Sequence, residues 1–293
     1  MNTYHPEIHF KTRLINLPRL IFTIPFFEKL LVTHLLKRPA SLLYKLVPPN
    51  YLYKKYNPRY VTRNGINYKL DISKVVDHDI YYGYKNNMYT SVQDDLKKAG
   101  VILDIGANIL NSSLYYASIN AQAKIWAFEP HPDTYKIAQE NLQLNQFKNI
   151  HLVNMGLGEN RQTLKLYEVN ENNPGMNRIL ATENDFPYKT IEVDQLDNVC
   201  REQNIGKIDF IKIDVEGFEY AVLAGSGEMI KKWKPVLFIE LDDNNLKENN
   251  KSAKELVELL VGFGYQRFYR ADVMTPITSS MDFTDCHFDL VAR

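Results

Sequence analysis

The chain has 293 residues, enough for one large domain or for a catalytic domain with an appendage. Hydrophobic residues make up 45% and charged residues 24%, the proportions of a globular protein that builds a core. A formal net charge of zero argues against a generally cationic nucleic-acid binder, and two cysteines, Cys200 and Cys286, make neither a disulfide framework nor a structural zinc site, which favours a reducing, cytoplasmic setting.

The zero conceals an asymmetry. Residues 1–63 hold 11 Lys/Arg against Glu7 and Glu28, a net +9, which leaves 24 bases against 33 acids, a net −9, in residues 64–293. The same front segment carries seven of the 13 prolines, and the first glycine is Gly65. These shifts divide the chain into a basic helical N-terminal extension, 1–63, and a main domain, 64–293. The most apolar run of the extension, residues 20–36, is broken by Pro25, Glu28 and Lys29. A membrane span wants about 20 apolar residues, and a central charge costs about 2.5–3.5 kcal/mol on insertion. The run is therefore not expected to cross a bilayer. Two readings of it remain: a helical lid on the main domain, which is favoured, or a basic, aromatic and leucine-rich helix lying on the inner face of an anionic membrane.

Beyond the extension, residues 60–63 and 66–71 flank Asn64-Gly65, a two-residue hairpin signal. Residues 74–98 read as mostly helical. A strand–helix alternation follows: strand 101–105, helix 112–119, strand 123–128, helix 132–144 with Pro132 in its first turn, and strand 150–154. Residues 160–193 depart from it as a β-rich insertion, with alternating segments around a polar Asn/Pro/Gly loop at 170–178. Helix 194–203, strand 208–213, helical pieces 220–224 and 228–232, strand 236–241 and amphipathic helix 251–261 resume the alternation. Strands 265–269 and 287–291 have no helix between them and are expected to pair antiparallel. Repeated strand–helix units predict an α/β, Rossmann-like, mostly parallel sheet with helices on both faces and an antiparallel last strand.

Ligands bind such sheets beyond the carboxyl ends of the strands, where the winding reverses. After the first strand comes Asp104-Ile-Gly106-Ala107-Asn108-Ile-Leu110: Gly106 permits a tight turn, Ala107 leaves room, and Asn108 tolerates positive φ. One of three dinucleotide-loop glycines is present, so this loop alone reads equally as an ordinary βα turn. After the second strand, Glu129 lies 25 residues beyond Asp104, near the offset at which an acid grips a ribose diol. After the fourth, Lys212 interrupts an apolar strand and Asp214, Glu216 and Glu219 surround Gly217. Lys212 reads either as a salt-bridge partner or as part of a catalytic cluster with Asp214 and Glu216. Glu240, Asp242 and Asp243 add acid to the same edge.

At these residues the chain resembles the FkbM-type S-adenosylmethionine-dependent methyltransferases. The matching stretches are 101–108 (VILDIGAN), 127–132 (AFEPHP), 141–159 (NLQLNQFKNIHLVNMGLGE), 207–220 (KIDFIKIDVEGFEY) and 235–240 (PVLFIE), within a likeness covering 65–293. IKIDVEGFE is the most specific. The resemblance implies a class I methyltransferase fold of seven strands. It also implies that Asp104, Gly106, Ala107 and Asn108 face the methionine half of S-adenosylmethionine and that Glu129 holds its ribose hydroxyls. Asn154 and Gly156 would lie near adenine. Asp214, Glu216 and Gly217 would bring the fourth strand's motif to the reacting methyl, with Asp214 or Glu216 as base or acceptor orienter. One departure is Leu110, where the family has glycine; its side chain would compete for cofactor space.

The expected reaction is methylation of a hydroxyl on a glycan or small metabolite. Acceptor selectivity is expected from 160–193, especially Asn172 to Arg178, and from 81–87 with Lys85. Residues 1–63 would bring the enzyme to lipid-linked sugars. A variant reading has a divalent metal on Asp214, Glu240 and Asp242. Two competitors stay open: a dinucleotide-dependent oxidoreductase sharing Gly106 and Glu129, and a non-catalytic cofactor-binding descendant, for which Leu110 is the support.

Overall fold

The computed structural model describes residues 10–83, 88–170 and 173–293; Lys85 and Asn172 lie outside the described residues. The chain divides into two compact units, Met1–Asn86 with Val169–Gly175, and Asn87–Glu168 with Met176–Arg293.

In the first unit a helix Phe10–Asn16 and a 3₁₀ segment Leu17–Thr23 lead into the helix Pro25–Lys37, whose first position is the proline. That helix buries Glu28, Leu31, Val32 and Leu35, the i, i+3, i+4, i+7 stripe of one face. A hairpin follows, β1 (Arg59–Arg63) and β2 (Ile66–Leu70), paired antiparallel. Its turn puts Asn64 at φ 51° and Gly65 at φ 80°, the left-handed pair that an Asn-Gly turn supplies. The helix Val75–Tyr82 ends at left-handed Gly83, so the helical stretch expected over 74–98 closes early, and a separate helix, Gln93–Lys98, belongs to the second unit. Buried Glu28 fastens this unit. Its carboxylate accepts from Arg59 Nε at 2.8 Å and Nη2 at 3.1 Å, and from the Tyr81 hydroxyl at 2.6 Å. The composition break at residue 63 falls in the hairpin turn, and ladder pairs such as Arg63–Ile66 join its two sides.

The second unit holds strands β3 (Val101–Ile105), β4 (Lys124–Phe128), β5 (Ile150–Val153), β6 (Gly156–Leu157), β7 (Gln162–Tyr167), β8 (Arg178–Ile179), β9 (Tyr188–Asp194), β10 (Phe210–Ile213), β11 (Val236–Asp242), β12 (Phe268–Arg270), β13 (Pro276–Ile277) and β14 (His287–Ala292). The large sheet runs β13-β12-β14-β11-β10-β3-β4-β5. Strands β5, β4, β3, β10 and β11 are parallel; β14 runs antiparallel between β11 and β12. The expected seven-stranded, mostly parallel α/β sheet is thus present, extended to eight by the two-residue edge strand β13. Both faces are covered. Leu103, Ile105, Ile211, Ile213, Leu237 and Ile239 join one buried cluster. On the other side Phe210 and Phe238 meet the rings of Tyr116 and Tyr89. The β-rich insertion begins earlier than the alternation suggested: β6, β9, β7 and β8 form a separate small sheet whose first strand starts at Gly156.

Candidate active site

The chain leaves the sheet centre by β3→β4→β5 and returns to build β10→β11 on the other side, so the winding reverses between β3 and β10. That is the crevice where an α/β sheet binds ligands. Gly106 explains how closely the two strand ends meet there. It sits at φ 80°, and a Cβ on it would fall 1.8 Å from the Asp214 carbonyl oxygen. No other residue fits. The Gly106 and Ala107 amides donate to the Phe128 carbonyl at 3.1 and 2.9 Å, tying the loop to β4. Asn108 then turns left-handed at φ 49°, and its amide donates to Glu129 Oε2 at 2.8 Å.

Glu129 is 7% exposed, and its other oxygen, Oε1, accepts from the His131 amide at 2.9 Å. Burial raises its carboxyl to about 7, against the pull of those two amides. Each oxygen keeps a further lone pair. The Asn154 side chain donates to the Glu129 and Pro130 carbonyls at 2.8 and 3.0 Å, so it fixes this turn. Gly156 has a different setting: it lies in β6, where a Cβ would press to 3.1 Å from Val193 Cγ2, and that packing accounts for the glycine.

Lys212 links the strand ends. Its Nζ donates to the Gly106 carbonyl at 2.8 Å and pairs with Asp214 at 3.1 Å and Asp104 at 3.5 Å. Burial alone would lower this ammonium, but the two carboxylates outweigh it and hold it above the ordinary lysine range. Asp104 is fully buried, with Oδ2 accepting from Ser113 Oγ at 2.5 Å and Oδ1 facing Lys212. Asp104, expected against the ligand, has no exposed surface, and its carboxylate meets Ser113 and Lys212.

Beyond β10, Glu216 adopts φ 55° and Gly217 φ 100°, the latter with a virtual Cβ 2.4 Å from the Asn245 carbonyl oxygen. The buried Glu219 carboxylate closes this turn by accepting from the Val215 and Gly217 amides, each at 3.1 Å. Carboxylate oxygens of Asp214, Glu216 and Glu240 lie within 4.8 Å of one another. Burial and the Asp214 charge raise Glu216 to about 7, with Arg178 pulling the other way. The same causes raise the Glu240 carboxyl well above the ordinary carboxylate range.

A family model described as the methyltransferase FkbM domain matches residues 104–267. The chain belongs to the FkbM methyltransferase family. It is 31% identical over 173 residues to methyltransferase sdnD of Sordaria araneosa, covering 46% of this chain and 66% of that protein. It is 24% identical over 177 residues to 2-O-methyltransferase NoeI of Sinorhizobium fredii (strain NBRC 101917 / NGR234), covering 56% and 72%. Among solved structures, the methyltransferase FkbM from Methylobacillus flagellatus KT has a TM-score of 0.46 at 16% identity, covering 93% of this chain and 60% of that one. The chain thus spans just under two thirds of the length of sdnD and three fifths of that solved structure. Membership sets aside the oxidoreductase reading.

The methyltransferase's residues revise two expectations. Asp242 is committed elsewhere: Oδ1 caps the helix Asp243–Lys247 through the Asn244 and Asn245 amides, and Oδ2 pairs with His287 Nδ1 at 2.6 Å. A divalent cation would therefore find Asp214, Glu216 and Glu240, not the triad with Asp242. In a second group, His131, Asp133 and Glu168, Asp133 pairs with Lys189 at 3.0 Å and His131 Nε2 lies 2.9 Å from Glu168. Leu110 does take the glycine-like conformation, φ 76°, yet it is fully buried. A side chain with no exposed surface does not project into an open cleft, which removes the steric ground for the non-catalytic reading. Sequence reasoning expected Arg178 to act in acceptor selectivity but did not foresee that Arg178 and Asn245 hold Glu216 Oε2 at 3.5 and 3.1 Å. Both reach it from distant segments, so no local pattern marks them.

Proposed function

We propose that this methyltransferase takes S-adenosylmethionine at the β3–β4 turns and methylates a hydroxyl of a glycan or small metabolite. The observation that carries the reading is Glu129: a buried carboxylate whose two oxygens are each fixed by one backbone amide, leaving a pair of acceptors suited to a vicinal diol. The close-approach loop at Gly106 fits a cofactor without a pyrophosphate, since its single glycine leaves the rest of the loop side-chained. When bound, the cofactor supplies a methyl group already activated by its sulfonium. The protein's work is then alignment of the acceptor and removal of its proton.

Glu216 is the base in this proposal. With its carboxyl near 7 it is half ionised at neutral pH, and Arg178 and Asn245 fix one oxygen. Glu240 stands beside it, with a carboxyl that burial and the Asp214 charge raise. Lys212 is a positioning residue: it holds Asp214 against the Gly106 loop. The likeness to NoeI, a 2-O-methyltransferase, supports oxygen as the acceptor atom. A cation on Asp214, Glu216 and Glu240 is the second reading, favoured by their oxygens lying within 4.8 Å.

The test is transfer of a labelled methyl group to a panel of sugars and uronic acids. The expected product is an alkali-stable methyl ether, and label released by mild alkali would replace hydroxyl by carboxyl as the acceptor. The sign of the pH dependence follows from the base: its raised carboxyl loses its proton as pH climbs through about 7, so the rate rises there. Glu216→Gln should lose about 10²-fold in rate and flatten that rise. A variant keeping the wild-type pH profile would remove Glu216 from the role.

A further inference from the structure

In the first unit the helix Pro25–Lys37 has two apolar faces, and only one is packed. Glu28, Leu31, Val32 and Leu35 are buried. The opposite face presents Phe26 and Leu30, 67% and 55% exposed, with Lys29 and Lys37 exposed between and beyond them. The segment before it continues the pattern: Ile15, Leu17 and Ile24 are 67%, 55% and 48% exposed, and Leu42 after it is 78% exposed. A surface built only to meet water would not carry side chains of this size so densely.

The charge is one-sided. Glu28 is the only acid between residues 8 and 70, and it is buried, 2% exposed, and held by Arg59 and Tyr81. Among the described residues of that stretch no carboxylate reaches the surface, whereas Lys29, Lys37, Arg38, Lys45 and Lys54 do. No described helix is long and apolar enough to cross a membrane. Large apolar side chains interleaved with lysine and arginine, without acids, match the chemistry of an anionic bilayer's headgroup boundary. A second copy of the same face would set cation against cation, which opposes pairing.

We propose that this face of the first unit, centred on Phe26, Lys29 and Leu30, seats the protein on the surface of an anionic lipid bilayer. The inference is independent of the methyl-transfer reading. The experiment is co-sedimentation of the full chain with vesicles of about one-third phosphatidylglycerol in phosphatidylcholine. Binding is expected to weaken at least about tenfold on pure phosphatidylcholine or in high salt. It should weaken at least about tenfold in Phe26→Asp/Leu30→Asp and, separately, in Lys29→Glu/Lys37→Glu. Thermal melting, expected unchanged for exposed positions, checks that each variant folds. Should the wild type stay in the supernatant, or either folded variant bind as the wild type does, the proposal is overturned. A lipid-free dimer that the first variant abolishes would assign the face to a second copy and overturn it equally.

Discussion

Leu110 shows how two opposed magnitudes decide a single position. Its left-handed backbone, φ 76°, costs a branched residue about 1–2 kcal/mol that glycine would recover. Its side chain is fully buried, and removing a buried leucine costs about 2–5 kcal/mol. Burial outweighs strain. Leu110→Gly should therefore lower stability by about 1–3 kcal/mol in urea unfolding. A variant more stable than the wild type would show that strain dominates. At this scale the site was legible where its residues are neighbours in sequence. Gly106, Asn108 and Glu129 follow strand ends that the hydrophobic pattern marks, and the turn geometry realises each of them. Asp104 and Lys212 were legible as charged and out of place in apolar strands, but not as partners for each other, because 108 residues separate them. Arg178 and Asp242 were opaque for the same reason. A charge's partner is set by strand order, and a side chain's exposure by packing; neither is written in local spacing.

At the scale of elements, Glu28 carries the clearest lesson. In the sequence it interrupts an apolar run and argues against a membrane span; in the fold it is the buried anchor of the helix Pro25–Lys37. A carboxylate 2% exposed, gripped by the Nε–Nη2 edge of the Arg59 guanidinium and by Tyr81, orders helix and hairpin relative to each other. Glu28→Ala strands a partly buried guanidinium and should cost about 3 kcal/mol, read as a lowered unfolding midpoint. Unchanged stability would mean the pair is incidental to the first unit. Strands with continuous apolar runs were read almost to the residue, since burial on both faces leaves no other assignment. The two-residue strands β6, β8 and β13 had no periodicity to read; they exist through their ladder partners Val193, Leu166 and Phe268.

For the molecule as a whole, the order β5-β4-β3-β10-β11-β14-β12 places the switch point between β3 and β10, and that reversal is what brings the Gly106 loop and Asp104 against Lys212 and Asp214. Alternating strands and helices predicted the sheet class, and the acids read after successive strands stand at the carboxyl edge of that sheet. The composition break located a change of character but not the limit of the first compact unit, which extends to Asn86 because the hairpin and the helix Val75–Tyr82 belong to it. In the proposed function, Glu129 holds the cofactor's ribose diol. Calorimetric titration of the full chain with S-adenosylhomocysteine measures that directly. One-to-one binding is expected, weakened at least about tenfold in Glu129→Gln, with the variant's melting temperature within a few degrees of the wild type. No heat with the wild type, or undiminished affinity in the folded Gln variant, would contradict it.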